Sequence, residues 1–277
     1  MLPTGSCYVP ESISTSKANI RWRCEGGRAA FNGAGTTSSS CELFTDKENV
    51  ILDLGAPNLT SHAGHLIEEI SFEDRGGRSA GALRVTRMNH FRTRDISCRN
   101  FRIGSCINID GRNDAVIMGS IEGLRARNCR AGIETIGRVI GLTVVGGYQT
   151  TQVRPSVGID WNSAGADRLV VINHAIDNHS IGVRLNGDAA YISGRFEANE
   201  VAVSVVSGSS NSVVGSLISG GDTGIDIQTA GMTVVAHNQF PAKRPRVPLK
   251  IADSSIFHQI DEPGLGIWRT SQAGQEN

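Results

Sequence analysis

Between Gly104 and Ile251 the chain alternates apolar and polar residues in short runs, each cut off by Gly, Asn or Ser. Gly182-Val183-Arg184-Leu185 and Gly224-Ile225-Asp226-Ile227 keep a period of two, that of a strand with one face buried. No stretch carries apolar residues at helical spacing. The phrase itself recurs, as GSCI at Gly104, GIET at Gly132, GIDW at Gly158, GVRL at Gly182, AVSV at Ala202 and GIDI at Gly224. Its steps, by subtraction, are 28, 26, 24, 20 and 22 residues. A second apolar run falls between anchors, at Leu169-Val170-Val171, Tyr191-Ile192, Val213-Val214 and Val234-Val235. Six residues before each anchor stand Cys98, Ala126, Gln152, Ile176, Phe196 and Ile218, mostly small or apolar. Four before stand Asn100, Asn128, Arg154, Asn178, Ala198 and Gly220, where an asparagine suits the left-handed backbone of a tight turn.

A period of 20 to 28 residues belongs to leucine-rich repeats, helical arrays or β-solenoids. Leucine is too scarce for the first and helical spacing is missing for the second. The remaining architecture is all-β, a parallel solenoid with about three short strands per coil. The cadence at Ile176-Asp177-Asn178 through Gly182-Val183-Arg184-Leu185 resembles the right-handed parallel β-helix superfamily of pectate lyases, polygalacturonases and bacteriophage tailspikes. The resemblance covers about Ile70 to Ile251 and implies a single-stranded right-handed β-helix there. Residues 1–69 read as N-terminal coils, with a cap missing or supplied by a partner, and 252–277 as a tail, poorly ordered or partner-bound. An open solenoid end exposes unpaired backbone and an apolar cross-section. The expected partner is therefore another copy of the chain, as in a trimer, or the rest of a larger assembly.

Composition agrees with a core of small and branched side chains. There are 33 glycines among 277 residues and only 5% aromatics. Twenty-seven basic residues balance 27 acidic ones, which disfavours nucleic acid and membrane surfaces as partners. No signal-peptide pattern opens the chain, and its expected place is a virion tail or the extracellular space. The six cysteines show no zinc spacing, so no metal site is expected from them. Cys98 and Cys129 read as buried thiols, with disulfides left open among Cys7, Cys24 and Cys41. That points weakly to a reducing compartment, or to a particle assembled in one.

Chemistry on such a scaffold must come from outward residues that stack from coil to coil. Two positions past each anchor lie Cys106, Glu134, Asp160, Arg184, Ser204 and Asp226, with Asn108 replacing Cys106 if the first coil slips by two. Five positions before it lie Arg99, Arg127, Val153, Asp177, Glu197 and Ser219. Glu134 and Asp160 form a neighbouring acidic pair with Arg184 next along. Glu134 is the expected general acid, keeping its proton, and Asp160, held charged by Arg184, the nucleophile or stabiliser. Asp177, Glu197 and Arg127 are expected to bind substrate. A lyase built on the same column would add Ca²⁺; a hydrolase needs no cofactor. His174 and His179 read as polar turn residues at the surface, and Trp161 as core. The sequence motifs of polygalacturonases and pectate lyases are missing, so pectin is not supported. The superfamily resemblance implies an enzyme that cleaves a bacterial surface or other acidic polysaccharide. A glycan-binding adhesin or a structural β-helix, neither of them catalytic, is the alternative.

Overall fold

The computed structural model describes residues 2, 5–15, 17, 19–24, 41–55, 64–163, 168–228 and 231–252, and the backbone of 259–261 and 267–270. Among these every regular element is a strand, and every strand pairing is parallel. The chain is a β-solenoid whose coils present three faces. The first face stacks Val50–Gly55, Gly81–Thr86, the start of Ser105–Glu122, the start of Ala131–Val145, Val157–Asn162, Ile181–Asn186, Val201–Ser207, Thr223–Ile227 and Val247–Ala252. The second takes Leu66–Glu68, Arg92–Arg94 and the recurring runs at Leu169, Ala190, Asn211 and Thr233. The third stacks Gly5–Tyr8, Cys41–Thr45, Ile70–Asp74, Ser97–Arg99, Arg125–Arg127 and Tyr148–Thr150, then the segments ending at Asp177, Glu197 and Ser219. Ladders continue before residue 70 and beyond residue 252, where Ile267–Thr270 pairs with Val247–Ala252.

Period two sends alternate side chains into one continuous core. Ile133, Ile159, Val183, Val203 and Ile225 follow one another in register and all are fully buried. Trp161 is buried as expected, stacked on Leu185. The anchor glycines have a steric origin. A Cβ on Gly158 would lie 2.5 Å from the Gly182 carbonyl oxygen, and one on Gly182 2.4 Å from that of Ala202. The coils approach too closely there for a side chain to fit. Asn100, Asn128 and Asn178 adopt φ of 67°, 54° and 56°, the left-handed turn their side chains tolerate.

Two register expectations are corrected. Asn108, not Cys106, pairs with Glu134, because the corner after Arg99 is two residues longer than the one after Arg127. Thr150, not Val153, stands between Arg127 and Asp177, and Gln149, not Gln152, stacks on Ala126, because the corner through Pro155 is also long. Counting back from Gly158 therefore falls three residues short.

The cysteine reading is corrected as well. Cys98 is not a free thiol but is joined to Cys106, with a Cα–Cα distance of 5.7 Å, and the link left open among Cys7, Cys24 and Cys41 joins Cys24 to Cys41 at 5.4 Å. Cys129 remains a buried thiol, pushed up to about 12 by desolvation. Cys24 and Cys41 lie 17 residues apart. Closing a loop of that length restricts the unfolded chain by about 3 kcal/mol. The double variant Cys24→Ser/Cys41→Ser should lose that much in denaturant titration, and an unchanged midpoint would show that the link contributes nothing.

Candidate functional site

The outward column of the first face runs Asp53, Arg84, Asn108, Glu134, Asp160, Arg184, Ser204, Asp226 and Lys250. Glu134, Asp160 and Arg184 are consecutive in it, as the repeat requires. Each acid in the column has its own base. Arg84 grips Asp53 through two nitrogens, and Arg184 grips Asp160 in the same way, with Nε at 2.8 Å from Oδ1. Lys250 reaches Asp226 at 3.3 Å. Two N–H donors on one carboxylate make the strongest form of this contact, and the long arginine stem leaves the Asp160 side chain only 7% exposed.

Glu134 takes a partner that the repeat does not reveal. Arg130, in the corner just before it, places one nitrogen 2.9 and 2.8 Å from the two carboxylate oxygens. The Ser105 hydroxyl and the Asn108 amide also donate to Glu134. Burial pushes this carboxyl up, but the arginine and the other donors outweigh it and hold Glu134 below the usual carboxylate range. The expectation that Glu134 keeps its proton is overturned: it is an ionised partner of Arg130. The arginines on Glu134 and Asp160 also occupy the oxygens that a Ca²⁺ ion would need, so this donor set does not fit one.

The third face holds the opposite arrangement. Asp177 pairs in register with Thr150 on one side and Glu197 on the other. Its carboxyl is buried beside Tyr148, with Arg195 at 3.7 Å. Burial first, and then the Glu197 charge, hold Asp177 above the usual carboxylate range against the pull of Tyr148 and Arg195. Glu197 is half exposed, its side chain at 51%, and meets Arg195 at 3.3 Å. Adjacent coils are about 4.8 Å apart, so a carboxyl biased toward its proton stands one coil from an exposed carboxyl. Around the pair lie Arg125 and the expected substrate ligand Arg127, both exposed. Tyr148 is 41% exposed and pairs in register with the small Ala175. Further toward the N-terminus the same face is locked by Glu42, which takes Arg75 at 2.6 Å and Arg99 at 2.8 Å. Where the strands end at Asn128 and Thr150, a cleft of about 300 Å³ opens between Arg102, Asn128, Gln152 and Val153.

Sequence reasoning missed Arg130, Arg195 and Tyr148. Arg130 lies in a corner outside the columns, and Tyr148 takes its place only when the long corner after it is known. The histidines are a further correction. His174 and His179 are buried, not at the surface.

Comparison with known proteins bears on the architecture alone. No family model matches the chain, and no curated protein does. Among solved structures it is similar to the ORF18 protein of Geobacillus virus E2, with a TM-score of 0.62 and 13% identity over 96% of this chain and 52% of that one. It is also similar to the catalytic domain of a GH87 α-1,3-glucanase in complex with nigerose, with a TM-score of 0.54 and 10% identity over 97% of this chain and 63% of that one. The chain is a parallel β-helix. It spans between half and two thirds of the length of these two structures, and at such identities what it shares with them is the fold.

Proposed function

We propose that this β-helix is carbohydrate-active and cleaves a polysaccharide laid across its third face. The observation that carries the reading is the contrast between the two stacked carboxyls Asp177 and Glu197, one buried and held toward its protonated form, the other exposed beside Arg195. Glycosidic cleavage needs such a pair. Asp177 gives its proton to the leaving glycosidic oxygen as that bond breaks, and Glu197 attacks the anomeric carbon. Water then displaces Glu197 and yields its proton to the Asp177 carboxylate. A spacing of about 5 Å suits this retaining course. Tyr148 offers a ring face to a sugar, and Arg125, Arg127 and Arg195 favour an anionic glycan. A catalytic domain acting on a glucan shares the fold, which supports this class of substrate without selecting a member of it. The two disulfides support action where thiols oxidise, on a virion or outside a cell.

Glu134, Asp160 and Arg184 take a structural part in this reading, as ion pairs that tie neighbouring coils. The test is a panel of bacterial surface polysaccharides, scored for new reducing ends and for absorbance of unsaturated uronates. Asp177→Asn should lower turnover by about 10²- to 10⁴-fold, the usual worth of a general acid, while glycan binding persists. Asp160→Asn should keep turnover and lose thermal stability. Release of reducing ends by Asp177→Asn at the parent rate, or by no glycan at all with the parent chain, would return the third face to a plain charged surface.

A further inference from the structure

The cleft beyond Asn128 takes no part in the chemistry above, yet its lining is that of a ligand site. Arg102 is exposed and offers a planar fork of N–H donors. Asn128 and Gln152 contribute side-chain amides, and Val153 one apolar wall. Among the described residues no carboxylate lines the cleft. Its rim is tied down. Arg154, just past Val153, is spent on Glu200 at 3.0 Å and on the Asn178 carbonyl at 2.7 Å. The Asn128 Oδ1 accepts the Gln152 backbone N–H at 3.4 Å. Toward the third face, the exposed Arg127 ends its strand immediately before Asn128. The site is thus a small hollow with one forked cation, two amides, that of Asn128 already bonded to the Gln152 N–H and to Asn100, and one hydrophobic side.

That set matches a hydroxyl-rich ring carrying a carboxylate. The guanidinium fork meets a carboxylate through two parallel bonds, which a point charge cannot do. Amides pair with ring hydroxyls, and Val153 packs on ring C–H groups. A volume of about 300 Å³ lies at the lower end of ligand pockets, the size for a single sugar unit rather than a chain. We propose that the cleft is a subsite for one uronate residue of the polysaccharide, with Arg102 as the specificity-determining contact. The proposal rests on the reading of the third face as a glycan site, since the cleft is the end of the same track.

The experiment is a titration of the full chain with oligosaccharides of polygalacturonate, alginate and hyaluronan, each beside its carboxyl-reduced counterpart. Reduction removes the charge and keeps the ring. At least one uronate series should bind tenfold or more tightly than its reduced form, and Arg102→Ala should bring the two to the same affinity. Asp177→Asn should leave the preference intact. No binding by any uronate series, equal affinity for charged and reduced forms, or a preference that survives Arg102→Ala would overturn the subsite. The two readings fail separately. Inactive Asp177→Asn without a uronate preference in the parent sinks the cleft alone, and a preference lost in Arg102→Ala beside a fully active Asp177→Asn sinks the catalytic pair alone.

Discussion

Val183→Asp should unfold the protein or leave it insoluble, while Tyr191→Asp should change stability by no more than about 0.5 kcal/mol. Val183 is completely buried, stacked between Ile159 and Val203 in a column with no polar neighbour of its own. A carboxyl there must either stay charged without water or take up a proton and still lack a hydrogen-bond partner. Either state costs several kcal/mol, set against the roughly 5 to 15 kcal/mol that holds a folded domain together. Tyr191 belongs to an alternating strand too, but it points outward and is 40% exposed. Solubility on expression and the urea midpoint of any soluble fraction decide the matter. Two variants with similar midpoints would mean that the column does not bear the weight assigned to it.

That contrast is legible in the sequence because a solenoid repeats its register. Where strand and corner lengths stay constant, counting from the anchors places Glu134, Asp160, Arg184, Ser204 and Asp226 in one column, and the ladders agree. Counting fails where a corner lengthens, since the extra residues shift every position counted across it. Cys106 and Val153 were lost in this way, and with Val153 went the place of Tyr148. The roles of the two acidic pairs were harder still to read. A column shows which carboxyls are neighbours along the stack but not what approaches from its side. Arg130 comes from the corner before Glu134, and burial beside Tyr148 decides the state of Asp177. Proton affinity depends on such lateral partners and on depth, neither of which a one-dimensional repeat records. The Cys98–Cys106 disulfide escaped for the same reason. Cys98 and Cys106 are eight residues apart, and only the turn between their strands brings them together.

The buried histidines lead to the other large effect, a loss of stability in mild acid. His174 has a neutral ring whose two nitrogens are both engaged: Nδ1 donates to the Gly146 carbonyl, and Nε2 accepts from the Gln149 amide at 2.8 Å. Gln149 itself lies tight against Gly132, where a Cβ would come within 1.7 Å of its Oε1. His179 is buried with neither ring nitrogen paired. Desolvation lowers His174 from 6.5 to about 4. It lowers His179 from 6.5 to about 3, assisted by the charge of Arg154 and by His174. Burial moves His65 in the same direction.

The folded state therefore binds these protons less readily than the unfolded chain. Their contribution is whole above pH 6.5 and drains away as pH falls toward the folded values. Each histidine costs up to about 1.4 kcal/mol per pH unit once the unfolded ring is fully protonated, so His174 and His179 together remove about 3 kcal/mol between pH 6.5 and 5. Glu134 and Asp110, held below the usual carboxylate range, begin to cost stability only at lower pH. Asp177, held above that range, works in the opposite sense and favours the folded state as it takes up its proton. The window from 6.5 to 5 thus reports chiefly on the histidines. Urea midpoints measured across it should fall steeply for the parent chain. His179→Leu, which fills the site without a titratable ring, should fall about half as steeply. A parent curve that stays flat from pH 7 to 5 would mean that these rings meet water or a partner when they take up a proton.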